Sequence, residues 1–232
     1  MFGTSYGADA LTYRSATEIN SAMGRVYGHM ALAVLTSMLV SMFVGFNAEL
    51  VQFFFTGAMK WVVIFAPLVA ILALTFGLES LTKSQAQLAL HGFAALMGLS
   101  FATIFVIYTA ASIFSAFMGG AILFAVMSGY GYFTKKDLSG LGSLLFVGLI
   151  AIIIASIVNI FIGSSVMQMV ISAIAILIFL GFTAYDTQQI REIVSVDTGD
   201  GKVEIVGALT LYLDFINLFL NLLQLFGVKN ND

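Results

Sequence analysis

Long apolar stretches separated by short groups of charged residues make up nearly the whole chain. At 1.5 Å per residue, a helix of about 20 apolar residues crosses the hydrocarbon core of a bilayer. Such stretches recur along the sequence, so the pattern predicts an all-α membrane protein with seven transmembrane helices. The predicted spans are residues 26–46, 61–80, 86–108, 115–133, 142–162, 166–194 and 203–226. Residues 1–25 are then a cytoplasmic N-terminal tail, and residues 228–232 are a C-terminal tail.

The third and fourth spans come from one long uncharged stretch that must be divided in two. No Asp, Glu, Lys or Arg lies between Lys83 and Lys135. A single helix over that interval would be about 75 Å long, against a hydrocarbon core of about 30 Å. The polar segment 108–115 therefore predicts a turn, and residues 163–165 predict another by the same reasoning.

The basic residues indicate the orientation of the chain. Seven Lys and Arg side chains fall on one side of the predicted bundle: Arg14, Arg25, Lys83, Lys135, Lys136, Arg191 and Lys202. Only Lys60 and Lys229 fall on the other side. Since Lys and Arg accumulate in cytoplasmic loops, we expect a cytoplasmic N-terminus and a C-terminus on the opposite side of the membrane.

Composition narrows the classes of function. Hydrophobic residues make up 60% of the chain and charged residues 9%, and there is no Cys. The absence of Cys excludes disulfides and thiolate chemistry, and the two His, far apart in sequence, do not form a metal-ligand cluster. The net charge of −3 predicts no nucleic-acid binding. No hydrolase, metalloprotease or phosphate-loop motif occurs, so we expect neither an enzyme nor a bound cofactor.

The last span carries an unusual set of polar residues. At 100° per residue, they fall on one arc of about 80° of the helix surface. The members of this polar stripe are Thr210, Asp214, Asn217, Asn221 and Gln224. A carboxylate near the middle of a span costs about 3 kcal/mol on insertion scales, so it normally faces the protein interior and has a function.

A second acidic residue is predicted at the same depth. No helix breaker follows Asp186 before residue 194, so span six is expected to continue to about that point and to turn back at residues 195–202. Counted from this turn, Asp186 lies about 13 Å deep and Asp214 about 16 Å deep. Adjacent antiparallel helices would bring the two carboxyl groups together.

Two carboxyl groups in one site of low dielectric do not both ionise easily, so they share a proton. The protonated pair would bridge spans six and seven, and the deprotonated pair would repel itself or attract a cation. Hard oxygen ligands suit calcium, so Asp186 and Asp214 predict a transient calcium site. In the alternative interpretation, each Asp only fixes helix packing. For Asn159, Asn217, Asn221 and Gln224, hydrogen bonds between helices are the expected role.

Several motifs of this chain are similar to those of one family. They are residues 211–219 (LYLDFINLF), 185–190 (YDTQQI), 134–139 (TKKDLS), 98–100 (GLS) and 159–161 (NIF). On these motifs the chain resembles bacterial members of the transmembrane Bax inhibitor motif family, the Bax inhibitor-1-like proteins. The resemblance extends from the first span to the seventh.

The resemblance implies a fold in which helix seven is central and is wrapped by the other six. It also implies a pH-sensitive calcium leak in which Asp186 and Asp214 form a di-aspartyl, proton-sharing latch. Some family members carry a basic cluster at the cytoplasmic end of helix two, which is proposed to bond the acidic pair. Here residues 79–83 contain only Lys83 as a basic residue, so the latch is expected to be weaker or its pH response shifted.

The leading hypothesis is therefore a calcium leak channel of the bacterial inner membrane, gated by protons, with lipid, calcium and protons as its partners. The alternative is a regulatory protein that binds and modulates a membrane-anchored ATP-dependent protease, without ion flux. The N-terminal tail, with Asp9, Arg14, Glu18 and Arg25, is the expected handle for such a protease, and deleting residues 2–20 would separate the two functions. A secondary transporter would predict inverted repeats, and the two halves show no convincing self-similarity.

Overall fold

The structure is a computed structural model that describes residues 14–77, 80–196, 199 and 201–230. In these residues the chain forms a series of α-helices joined by short turns. They are α1 (Ala16–Gly45), α2 (Ala48–Phe55), α3 (Met59–Gly77), α4 (Lys83–Phe101), α5 (Ile104–Ile107), α6 (Ala110–Phe133), α7 (Ser139–Ile162), α8 (Ser165–Val196) and α9 (Lys202–Phe226). Asp9, Glu79 and residues 231–232, which belong to features predicted above, lie outside the described residues.

Seven segments are long and apolar enough to cross a membrane: α1, α3, α4 with α5, α6, α7, α8 and α9. This confirms the prediction of an all-α membrane protein with seven transmembrane helices. The first helix begins at Ala16, ahead of the predicted span, because Ser15 and Glu18 form a capping box there. Residues 16–25 of the predicted N-terminal tail are therefore helical.

The helix α9 is the most buried of the seven. In the apolar stretch of α9 that can cross the membrane, 67% of the residues are buried, against 6% in the corresponding stretches of α3 and α7. Its packing neighbours are α1, α4, α6 and α8, whereas α3 packs mainly on α4 and α7 mainly on α8. The extensive contacts of α9 are thus with these four helices, while α3 and α7 expose apolar side chains such as Phe76 and Phe161.

Small residues bring neighbouring helices close together. A Cβ placed on Gly98 of α4 would lie 2.4 Å from the carbonyl oxygen of Ser37 in α1. A Cβ on Gly131 of α6 would lie 2.1 Å from the carbonyl oxygen of Ala184 in α8. Both glycines therefore allow backbone-to-backbone packing, the usual basis of helix association in lipid.

The bundle has two distinct ends. The helix termini that carry Arg25, Lys83, Arg191 and Lys202 meet at one end, which we call the basic end. At the opposite end, the C-terminal segment 228–230 pairs with the connection between α5 and α6. The amide of Thr109 donates to the carbonyl of Val228 (3.0 Å), and the amide of Asn230 donates to the carbonyl of Ile107 (2.9 Å).

Candidate functional site

The two aspartates predicted to pair are brought together by α8 and α9. These helices are antiparallel, joined by a short turn, and in extensive contact along their length. The carboxyl groups of Asp186 and Asp214 lie within hydrogen-bonding reach of each other. Counted from the ends of their helices at the basic end, they lie about 15 Å and about 18 Å deep. The pair therefore sits well inside the membrane-spanning part of the bundle.

The Asp214 side of this pair is isolated from solvent. Asp214 is 5% exposed, whereas Asp186 is partly buried. Within the described part of the chain, no N–H or O–H group donates to Oδ2 of Asp214. A contact between two carboxyl groups is attractive only when one of them carries a proton, because two carboxylates are both acceptors. The geometry thus fits a pair that holds one proton.

Other residues of the polar stripe bond mainly to their own helix. Nδ2 of Asn217 donates to the carbonyl of Leu213 (2.8 Å), and Nδ2 of Asn221 donates to the carbonyl of Asn217 (2.8 Å). Oγ1 of Thr210 donates to the carbonyl of Val206 (3.2 Å). The expectation of hydrogen bonds between helices is therefore wrong for the amide groups of Asn217 and Asn221, which lie one turn from an available carbonyl.

Asn159 and Gln224 do connect different helices. Oδ1 of Asn159 accepts from the amide of Ser164 (3.1 Å), and its Nδ2 donates to Oε1 of Gln168 (3.2 Å). This fixes the turn from α7 to α8. Oε1 of Gln224 accepts from Oγ of Ser172 (3.0 Å), which links α9 to α8. Both are therefore packing residues at the end of the bundle opposite the basic end.

Lys83 does not approach the aspartate pair. Its Nζ lies 3.7 Å from Oε2 of Glu204, near the beginning of α9. Glu204 lies about 15 Å along the helix axis from Asp214. The basic residue that the resemblance offered as a latch is thus engaged elsewhere, because α4 begins at the level of the first turn of α9.

Glu204 is a functional candidate that the sequence pattern does not single out. It is 1% exposed, and its carboxylate accepts two hydrogen bonds from Arg25: Nε to Oε2 (2.8 Å) and Nη2 to Oε1 (2.7 Å). Arg25, which was expected to bind a partner protein as part of the N-terminal tail, therefore binds within this protein. The signal that identified Asp214, an acid within an apolar helix, also applies to Glu204, but its place next to the turn made it look like a loop charge.

A chain of hydroxyl groups links α1 and α6 to the residue of α8 that follows Asp186. Oη of Tyr27 lies 2.7 Å from Oγ of Ser128, which lies 2.9 Å from Oγ1 of Thr187. Thr187 follows Asp186 in α8. The first two of these residues also line an open cavity between α1 and α6 near the basic end, together with Asn20 and Tyr132. Polar groups therefore reach from the basic end towards the level of Asp186.

The donor set places limits on metal binding. Among the described residues, no group of three or more His, Cys, Asp or Glu side chains could hold a metal ion. Calcium prefers six to eight oxygen ligands, so two carboxyl groups alone do not form a tight site.

Comparison with known proteins gives consistent matches over the whole bundle. Residues 19–231 match the family model described as "Inhibitor of apoptosis-promoting Bax1". The inner membrane protein YbhL of Escherichia coli strain K12 is 40% identical over 215 residues, covering 90% of this chain and 92% of that protein. An uncharacterized protein of Rickettsia prowazekii is 37% identical over 212 residues, covering 90% of both chains. An uncharacterized protein of Borreliella burgdorferi is 36% identical over 218 residues, covering 92% of this chain and 94% of its own length.

The family match includes every predicted span, and it includes the two helices that hold the aspartate pair. The relative from Escherichia coli is named as an inner membrane protein, in keeping with seven helices that can cross a membrane. The chain therefore belongs to the Bax inhibitor-1-like family of multi-pass membrane proteins.

Proposed function

We propose that this protein is a calcium leak channel of the inner membrane whose opening is controlled by protonation of Asp186 and Asp214. The observation that carries the proposal is the meeting of these two carboxyl groups inside the membrane-spanning bundle. Acids in such a position are costly and are normally retained for ion or proton pathways. The ion itself, calcium, is inferred from the hard oxygen ligands of the pair.

The proposed gate is the contact between α8 and α9. With one proton the pair joins the two helices by a hydrogen bond. Without it, two unit charges about 4 Å apart repel each other by about 4 kcal/mol at an effective dielectric constant near 20. That repulsion is large enough to part the helices or to attract a cation between them. The burial of Asp214 supports the view that the described conformation is the closed one.

Calcium flux from liposomes tests the proposal. Purified protein is reconstituted, and flux is measured from about pH 5 to about pH 8, the range in which a proton switch must act to matter in the cell. We expect the flux of the natural protein to change with pH and that of Asp214→Asn to be nearly independent of pH, because an amide cannot lose the shared proton. The same flux-versus-pH curve in both proteins would contradict the proposed gate.

A matched control is Glu49→Gln, which neutralises an exposed acid on the short helix α2. It removes the same charge from the protein without touching α8 or α9, so its flux curve should follow that of the natural protein. Liposomes without protein set the background. Flux no greater than this background at any pH would exclude the channel.

Regulation of a membrane-anchored protease is the alternative function. The segment expected to bind the protease is the N-terminal tail, and part of it already contacts other residues of the protein. Glu18 caps α1, and Arg25 binds Glu204. Deleting residues 2–20 would therefore remove the helix cap as well as the tail. A deletion of residues 2–13 is the cleaner test: loss of protease co-purification with unchanged liposome flux would assign the tail to a partner.

A further inference from the structure

The first turns of α1 contact the ends of both helices that carry the aspartate pair. The amide of Arg14, just before α1, donates to the carbonyl of Ser195 in the last turn of α8 (2.9 Å). Arg25 binds Glu204 near the beginning of α9 through two hydrogen bonds. One helix thus fixes the basic ends of two others.

The distances from these contacts to the aspartates are nearly equal. Ser195 follows Asp186 by about 14 Å of helix, and Glu204 precedes Asp214 by about 15 Å. Contacts at matched heights on two antiparallel helices set the relative height of the two carboxyl groups. A shift of α9 by one residue in register would move Asp214 by about 1.5 Å along the axis and rotate it by about 100° around the axis, away from Asp186.

The contact around Glu204 is built as a clasp of three helices. Nη1 of Arg25 donates to Oγ of Ser21 (2.9 Å), which leaves the guanidinium oriented towards Glu204. Lys83, at the start of α4, approaches the same carboxylate. The turn before α9 is fitted to this group: Gly201 has φ +79°, and a Cβ there would lie 2.6 Å from Nζ of Lys83. We call Arg25, Lys83 and Glu204 the clasp.

We propose that Glu204 is a positioning residue for the aspartate pair: the clasp holds α9 at the height and rotation at which Asp214 meets Asp186. This inference rests on the proposed function for its effect on gating, but the positioning itself does not. The charged groups that face Glu204 are Arg25 and Lys83 in the clasp, with Arg14 and His29 nearby. Around Asp214, the charged group that faces it is Asp186.

The positioning is tested by a distance that does not depend on ion flux. Because the chain has no Cys, spin labels on introduced cysteines report single sites. Val206 in α9 and Val170 in α8 are 43% and 53% exposed and suit labelling. They lie about 35 Å apart along the bundle, within reach of pulsed dipolar spectroscopy.

We expect Glu204→Gln and Arg25→Gln each to shift or broaden this distance distribution, because each removes the ion pair with its two hydrogen bonds, one from the side of α9 and the other from the side of α1. The control Glu192→Gln removes an exposed acid at the same end of α8 and should leave the distribution unchanged. Using both clasp variants keeps the test valid if one of them does not fold. An unchanged distribution in the folded variants would overturn the inference.

A second measurement links the clasp to the pair. A protonated carboxyl group gives an infrared carbonyl band, and the band of the pair is the one that disappears in Asp214→Asn. In Glu204→Gln we expect this band to lose at least half of its intensity. We also expect the calcium flux of Glu204→Gln to depend less on pH. A shifted distance with an unchanged band would show that the clasp positions α9 but not the carboxyl groups, which contradicts the inference. If the clasp variants shift the distance but the natural protein shows no calcium flux, the proposed function is contradicted and the positioning inference is not.

Discussion

Two glycines of α6, Gly129 and Gly131, lie in opposite surroundings. A Cβ on Gly131 would lie within 3 Å of three backbone atoms of Ala184 in α8, whereas a Cβ on Gly129 would meet nothing within 4 Å. Ala184 is a close sequence neighbour of Asp186. The separation of α6 from the helix that carries one of the paired acids therefore depends on a single missing methyl group.

We expect Gly131→Ala to destabilise the protein by about 1–3 kcal/mol, because backbone atoms cannot move aside as a flexible side chain does. Gly129→Ala is the matched control, and it should be neutral or stabilising by up to about 1 kcal/mol, because alanine favours a helix. Thermal unfolding in detergent measures both. Equal stability of the two variants would mean that α6 and α8 are not packed backbone to backbone.

The helical elements are held at the end opposite the basic end by the C-terminal segment. The third span is interrupted after Phe101, so α5 is a short helix whose last carbonyl groups need partners. Asn230 supplies them: its amide donates to the carbonyl of Ile107, and its Nδ2 donates to the carbonyl of Val106 (2.8 Å). The C-terminal segment thus completes an element that is distant in sequence.

Removing residues 228–232 should expose this connection. We expect faster hydrogen exchange at residues 106–112, because the amide of Thr109 loses its acceptor, Val228. Removing only residues 231–232 leaves the described pairing in place and serves as the control. Equal exchange in the two truncated proteins would show that the pairing does not protect the connection.

For the whole molecule, the sequence was sufficient to predict the parts that follow from long-range patterns of polarity. Seven apolar segments, and the facing of Asp186 and Asp214, follow from the length of a span and the rise of a helix. The clasp at Glu204 did not follow, since it joins residues of α1, α4 and α9 through side-chain directions that no sequence period encodes. The bonding of Asn217 and Asn221 to their own helix was missed for a different reason: an amide one turn from a carbonyl has a local partner that competes with other helices.

The orientation of the whole bundle in the membrane is a prediction of charge alone. Single cysteines in place of Lys135 and Lys60 should be labelled by a membrane-impermeant reagent from opposite sides, with the residue at position 135 protected in intact cells and reactive after lysis. Both positions are exposed and lie at opposite ends of the bundle. Labelling of position 135 in intact cells would reverse the predicted topology.

The burial of α9 also has a consequence for how the protein is made. The ribosome synthesises this helix after the other six spans, although it has the largest share of buried residues among the seven. The faces of α1, α4, α6 and α8 that contact it must therefore remain covered by lipid, or by one another, until α9 has been synthesised. A nascent chain that stops before Lys202 would have no central helix, no aspartate pair and no clasp. Membrane quality-control proteases would thus meet an unfinished bundle, which would become resistant to them only once α9 has inserted.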